Sequence, residues 1–266
     1  GKPGQFFAGG DIKEMLEMDL KPSEAKKTEM YEGVMATKAP LRTLETLGVP
    51  VAVGLNGPAL GGGFEIALAC HHRVAINGVQ VGLPEAMIGL MPGAGGVVRM
   101  TYLLGMQEAI GLISQVKRLK AAQALEKGLL HELASDEADM HAKAKAWIKA
   151  NPDAKQVWDQ DAYQIPGGGP DEPANQGLTF FGPANVMVQT KNLMPAQNAI
   201  FACVVDAARV DFDTAQKIEG RYFLSLLLDQ TARNMMTAFF VQMEALNKGA
   251  SRPPVAERFE CKKLGI

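Results

Sequence analysis

Residues 56–96, NGPALGGGFEIALACHHRVAINGVQVGLPEAMIGLMPGAGG, constrain this chain more than any other stretch. They hold two glycine clusters, each coupled to one glutamate in apolar surroundings. Gly61, Gly62 and Gly63 run straight into Phe64, Glu65, Ile66, Ala67 and Leu68, which reads as the first turns of a buried helix. Glycines at that point let the backbone approach a ligand and leave N–H groups without intrahelical acceptors. Such groups, with the positive end of the helix dipole behind them, suit an oxygen that gains negative charge during a reaction. The second cluster joins Leu83, Pro84 and Glu85 to Pro92, Gly93, Ala94, Gly95 and Gly96. Two carboxylates in apolar neighbourhoods beside exposed backbone donors predict an acid/base pair. The alternative, ordinary surface carboxylates among turn glycines, fits poorly, because ionised side chains seldom sit in apolar runs without a partner or a task.

Around this stretch the pattern is that of an α/β scaffold. Pro50 introduces residues 51–55, uniformly apolar, as in a strand buried on both faces. Strand, glycine turn and buried helix then follow in the order a ligand site needs. Residues 23–47 are helical in pattern, with Met30, Val34, Leu41, Leu44 and Leu47 as an apolar stripe; Pro40 predicts a kink or two pieces. Residues 74–76 and 79–81 read as short strands, and 103–112, 121–130 and 136–150 as helices, the last anchored by Trp147. A Pro/Gly-rich connection follows. Its Gly167, Gly168 and Gly169 have neither a strand before nor a helix directly after them, so they read as loop and not as a phosphate cradle. Residues 196–208 and 213–249 are helical again. Phe223, Leu226, Leu227, Met235, Met236, Phe239, Phe240 and Met243 give the second an apolar face that must pack on something, and core packing is a commoner use of such methionines than a promiscuous groove.

Composition removes several function classes. A net charge of −2 offers no basic surplus for a polyanion, so no nucleic-acid partner is predicted. Cys70, Cys203 and Cys261 are scattered, without a CxxC pair, which implies neither a disulfide framework nor a zinc site and fits a reducing compartment. No apolar run reaches the length of a membrane span. His71 and His72 are adjacent, but helical neighbours point about 100° apart and no acidic or thiol partner is near, so no metal is predicted.

The motifs resemble the crotonase (enoyl-CoA hydratase/isomerase) superfamily in residues 8–15 (AGGDIKEM), 56–65 (NGPALGGGFE) and 83–96. Glu65 and Glu85 stand at the twenty-residue spacing of the two hydratase glutamates. The resemblance implies an α/β fold with a ββα spiral core and a C-terminal helical extension. Residues 1–7 lack an initiating Met and a targeting segment, and strands that precede this loop in the family are expected to be missing. By the same resemblance Glu65 is the main base and Glu85 the acid. The N–H groups of Gly10 and Gly62 form the oxyanion hole, and Gly93 helps hold the water. Gly10, Asp11, Ile12 and Lys13 lie along coenzyme A, although Lys13 reads equally well as a solvated lysine. His71 departs from the pattern, which has aspartate there in many relatives.

Glu219, Phe223 and residues 234–240 resemble the connecting helices of multifunctional fatty-acid oxidation enzymes. That assigns residues 1–150 to a partial hydratase/isomerase domain, 151–175 to the connection and 176–266 to a helical linker. The linker would lead to an absent NAD-binding 3-hydroxyacyl-CoA dehydrogenase domain, with Cys261 to Ile266 opening its first strand. The implied activity is hydration of trans-2-enoyl-CoA to 3-hydroxyacyl-CoA in β-oxidation. Alternatives are 3-enoyl-CoA isomerisation, a parent protein known by its dehydrogenase activity, and a non-catalytic acyl-CoA scaffold. Acyl-CoA is then the ligand, and NAD is expected only for the missing domain. A thiolase subunit and an oligomer are the implied partners. A bacterial-type cytoplasmic site is implied, with mitochondrial and peroxisomal sites left open.

Overall fold

A computed structural model describes residues 4–7, 9 and 12–250 of the chain. The short helix α1 (Ile12–Leu16) precedes α2 (Glu24–Glu45), whose first turn is capped by Ser23 Oγ accepting from the N–H of Lys26. β1 (Ala52–Leu55) and β2 (Ala59–Leu60) lead into α3 (Gly62–Leu68), β3 (His72–Ile76) and β4 (Gln80–Gly82). A 3₁₀ turn (Glu85–Ile88) separates these from α4 (Gly96–Leu104) and α5 (Met106–Ser114), followed by β5 (Arg118–Lys120), α6 (Ala121–Glu126), β6 (Glu132–Ala134) and α7 (Glu137–Ala150). The strands form two small sheets. In one, β3 lies between β1 and β6, all parallel; in the other, β4 pairs parallel with β2 and antiparallel with β5. Phe7 extends the second sheet by a parallel bridge to Ala59.

The remaining helices are α8 (Gln176–Thr190), α9 (Pro195–Ala207), α10 (Phe212–Leu227), α11 (Gln230–Met236) and α12 (Met243–Asn247). The main apolar core runs through both halves of the sequence: Phe64, Leu68, Val81, Leu90 and Met91 share it with Ile200, Val204, Leu226 and Met236. Residues expected as a linker are thus part of the body that carries the glycine clusters. A second cluster stacks Trp158 on Phe212, with Tyr102 edge-on to both.

Several elements differ from the sequence reading. α2 is one helix through Pro40, which lies on its exposed side. Its buried positions include Lys38 and Glu45 beside Val34 and Leu41, while Leu47 is exposed. Residues 103–112 fall in two helices divided at Gly105, the first beginning at Gly96. α8 falls at the start of the stretch read as helical from residue 176. The pattern over 213–249 is broken at Asp229, whose carboxylate accepts from the N–H groups of Thr231 and Ala232 and restarts the chain as α11. After Met236 the backbone widens into a π-helical turn (Thr237–Gln242). Met235 and Met236 are buried as expected, but Phe239, Phe240 and Met243 are exposed, as are Phe180 and Phe181 on α8.

Candidate active site

Gly61 starts the site. Its N–H donates to Gly82 O at 2.9 Å, and its carbonyl accepts from Phe64 and Glu65 at 2.8 and 3.0 Å, so β4 fixes the point where α3 begins. Its φ of +56° is a conformation that glycine adopts without strain. Gly62, as the first helical residue, has no intrahelical acceptor for its N–H. Gly63 faces the Phe7 carbonyl, and a Cβ there would collide with that oxygen. The segment carrying Phe7 and Gly9 therefore seats against the opening of α3. Gly10 and Asp11, expected in the oxyanion hole and along coenzyme A, lie outside the described residues.

Glu65 projects from the first turn of α3 and is 3% exposed. Its Oε1 accepts from the N–H of Ala94 at 2.7 Å and of Gly96 at 2.8 Å, so the second glycine cluster holds the glutamate of the first. Burial pushes its carboxyl up to about 7 and nearby Glu219 adds to that, while the two backbone donors and Lys38 pull the other way. Glu85 opens the 3₁₀ turn. Its Oε2 is buried without a hydrogen-bond partner among the described residues, and burial together with the charge of Glu65 raises its carboxyl well above the usual range. The two side chains flank one turn: a Cβ on Gly61 would lie 2.9 Å from Glu85 Oε1, and one on Gly62 3.9 Å from Glu65 Oε2. The structure thus brings Glu65, Glu85 and Gly62 together. Gly93 sits one residue before the Glu65-binding turn, packed under the Phe223 ring, which a Cβ would meet at 2.7 Å. Ile12 packs half-buried on the core and Lys13 is exposed on α1.

Sequence reasoning missed a third carboxylate. Glu219 of α10, fully buried, accepts from the N–H of Gly95 through Oε1 at 2.7 Å and of Val98 through Oε2 at 2.9 Å. Its charge is met by Lys38 of α2, which is buried and also donates to Gln216 Oε1 at 3.3 Å. The turn is held from outside as well. Arg99 donates to Ala94 O at 2.9 Å and to Glu45 Oε1 at 2.6 Å, and Glu45 in turn pairs with Arg42, which is bidentate to Asp159. A buried lysine and glutamate at helical spacing on α2 were the only signal for these partners, which lie far away in sequence.

The histidines are structural. His71 accepts from the N–H of Val51 through Nδ1 at 3.0 Å and reaches the Glu45 carbonyl through Nε2 at 3.1 Å; burial lowers its pKa and keeps it neutral. His72 stacks between His131 and Trp147 and bonds Glu132. Among the described residues no cluster of His, Cys, Asp or Glu gathers as metal ligands, and no helix is long and apolar enough to cross a membrane.

A sheet-and-helix core with Glu65 and Glu85 against paired glycine turns defines the class: the chain belongs to the enoyl-CoA hydratase/isomerase family, whose sequence profile matches residues 1–158. It is 28% identical over 249 residues to the fatty acid oxidation complex subunit alpha of Shewanella loihica, covering 92% of this chain and 34% of that protein. The corresponding subunit of Idiomarina loihiensis is 36% identical over 159 residues, covering 57% of this chain and 21% of that protein. The chain spans about a third of the length of the curated relatives it matches end to end. Among solved structures, an enoyl-CoA hydratase from Bacillus halodurans shares the fold at a TM-score of 0.59 and 17% identity, over 89% of this chain and 78% of that one. One from Thermoplasma volcanium gives 0.51 and 22%, over 90% and 77%.

Proposed function

We propose that the chain hydrates trans-2-enoyl-CoA to 3-hydroxyacyl-CoA, as the hydratase part of a multifunctional β-oxidation enzyme. The observation that carries this is the pair Glu65 and Glu85 on either side of the Gly61–Gly62 turn, the first held by two backbone donors and the second with an unpartnered carboxyl oxygen. Glu65, stabilised as a carboxylate by two backbone donors, takes a proton from the water that adds to the β carbon. Glu85, whose carboxyl is raised by burial and by its neighbour, delivers a proton to the α carbon. Charge that develops on the thioester oxygen meets the N–H of Gly62, with Gly10 as the second donor. Removing one such donor costs about 3–4 kcal/mol of transition-state stabilisation. Gly93 as a water-positioning residue, and Ile12 and Lys13 along coenzyme A, belong to the same reading. So do NAD and a dehydrogenase region outside this chain, a thiolase partner, an oligomer and a bacterial cytoplasmic site; the relatives' name, subunit alpha of a complex, supports assembly.

The test is the loss of enoyl absorbance with crotonyl-CoA and a longer enoyl-CoA. Glu65→Gln and Glu85→Gln should each lower kcat by about 10²–10⁴-fold. Binding of acyl-CoA without any change in the enoyl signal would sink the hydratase reading. A second reading, 3-enoyl-CoA isomerisation, needs one proton shuttle, and the unpartnered oxygen of Glu85 favours that residue for it. Isomerisation that survives Glu65→Gln would select it.

A further inference from the structure

The turn at residues 94–98 binds two carboxylates, not one, and it does so in alternation. Ala94 and Gly96 donate to Glu65, and Gly95 and Val98 donate to Glu219. Backbone N–H vectors in such a turn are fixed by its dihedral angles. Gly95 holds a φ of +102°, and a Cβ there would collide with the Arg99 guanidinium and lie 2.8 Å from Gln216 Oε1. Whatever anchors the Gly95 and Val98 donors thereby orients the donors of Ala94 and Gly96. Glu219 is that anchor. It comes from α10, outside residues 1–158, and is joined to α2 through Lys38.

The charges around Glu65 are few, and they come from five packed elements. Glu85 approaches from the 3₁₀ turn, Glu219 from α10 and Lys38 from α2. Arg99 of α4 is neutralised by Glu45, and the Cys203 thiol of α9 is kept protonated by burial beside Glu219. In a buried site each unit charge is felt strongly. The pair Lys38 and Glu219 presents both signs to Glu65, and either member alone would bias it.

We propose that Glu219, paired with Lys38, is a positioning residue for Glu65: it clamps the turn that holds this carboxylate and sets the charge beside it. The proposal rests on Glu65 as the base of the proposed hydration. A purely structural buried ion pair would affect stability alone; this one also moves the protonation of a neighbouring side chain.

The test uses the intact chain labelled with δ-¹³C glutamate, with the Glu65 resonance assigned by its loss in Glu65→Gln, alongside the pH profile of kcat/KM for crotonyl-CoA. Glu219→Gln leaves the Lys38 charge uncompensated, so the Glu65 titration should fall by about one pH unit. The rising limb of kcat/KM should move with it. Lys38→Met removes the cation that favours the Glu65 carboxylate and should move both upward, whereas Lys38→Arg should keep both near their original place. A Glu219→Gln protein with the original titration and limb, and only a lower melting temperature, overturns the proposal. Should that variant not fold, coincident titrations in Lys38→Met and Lys38→Arg overturn it. A Glu65 titration that shifts in a chain with no hydration upholds the coupling and removes the hydratase reading instead.

Discussion

Glu65 accepts two backbone hydrogen bonds through a single oxygen, and this geometry survives a change to glutamine, whose amide oxygen can take the same place. What such a change removes is the titration, and with it the charge that raises Glu85. In the unfolded chain this carboxyl ionises near 4.5, and in the folded one near 7. A raised folded pKa means that the native state binds the proton more tightly. The stability it contributes is complete below about pH 4.5 and is lost as pH rises through 7. Between pH 5 and 8 the parent protein should therefore lose on the order of 3 kcal/mol relative to Glu65→Gln. Urea midpoints measured at both pH values check this, and parallel shifts in the two proteins would refute it. Both glutamates were legible in the sequence, because a charge in an apolar run stands out from its neighbours. Glu219 was visible only through its resemblance to the connecting helices of multifunctional enzymes, because nothing local shows that its partners are Lys38 and the turn beginning at Ala94.

At the scale of elements, glycine legibility was good where a backbone approach could be read and poor where tertiary partners decide. Gly61, Gly62 and Gly63 run into α3 as the pattern required. Gly63 has the tightest of these constraints, set by Phe7, whose carbonyl also accepts from Leu60 at 3.2 Å. Gly63→Ala should push the Phe7–Gly9 segment off α3, costing about 1–3 kcal/mol as overpacking does. Because that segment leads to the proposed second oxyanion donor, activity should fall far more than the melting temperature. Equal, small effects on both would show that the segment is not fixed by this contact. Helix extents were less legible. The 3.6-residue pattern continues across Asp229, so only the carboxylate's competition for the next N–H groups marks the break. On α2, Lys38 and Glu45 share the buried side with Val34 and Leu41, and periodicity that counts only apolar residues cannot see a stripe completed by ion pairs.

The whole molecule depends on chain segments that sequence reading divided. The family profile ends at residue 158, yet α9 supplies Ile200, Cys203 and Val204 to the main core. α10 places Phe223 on Gly93 and Glu219 on Gly95, and α11 closes on Gly89, where a Cβ would lie 2.7 Å from Ala232 Cα. The turn that holds Glu65 and the 3₁₀ turn that bears Glu85 are thus packed from behind by helices that follow the profile. Arg42 binds Asp159 and Asp213, drawing α2, the 157–159 turn and α10 together. A chain ended at residue 158 would expose the apolar face left by α9 and α10. It would also strip the turn at residues 94–98 of the Glu219 carboxylate that accepts from Gly95 and Val98. We expect this truncated chain to keep helical far-ultraviolet circular dichroism, lose its near-ultraviolet signal and bind a hydrophobic dye, as loosely packed states do. It should show no hydration. A cooperative melt and measurable turnover from residues 1–158 would instead make the later helices an appendage, and Glu219 would then lose its place in the mechanism.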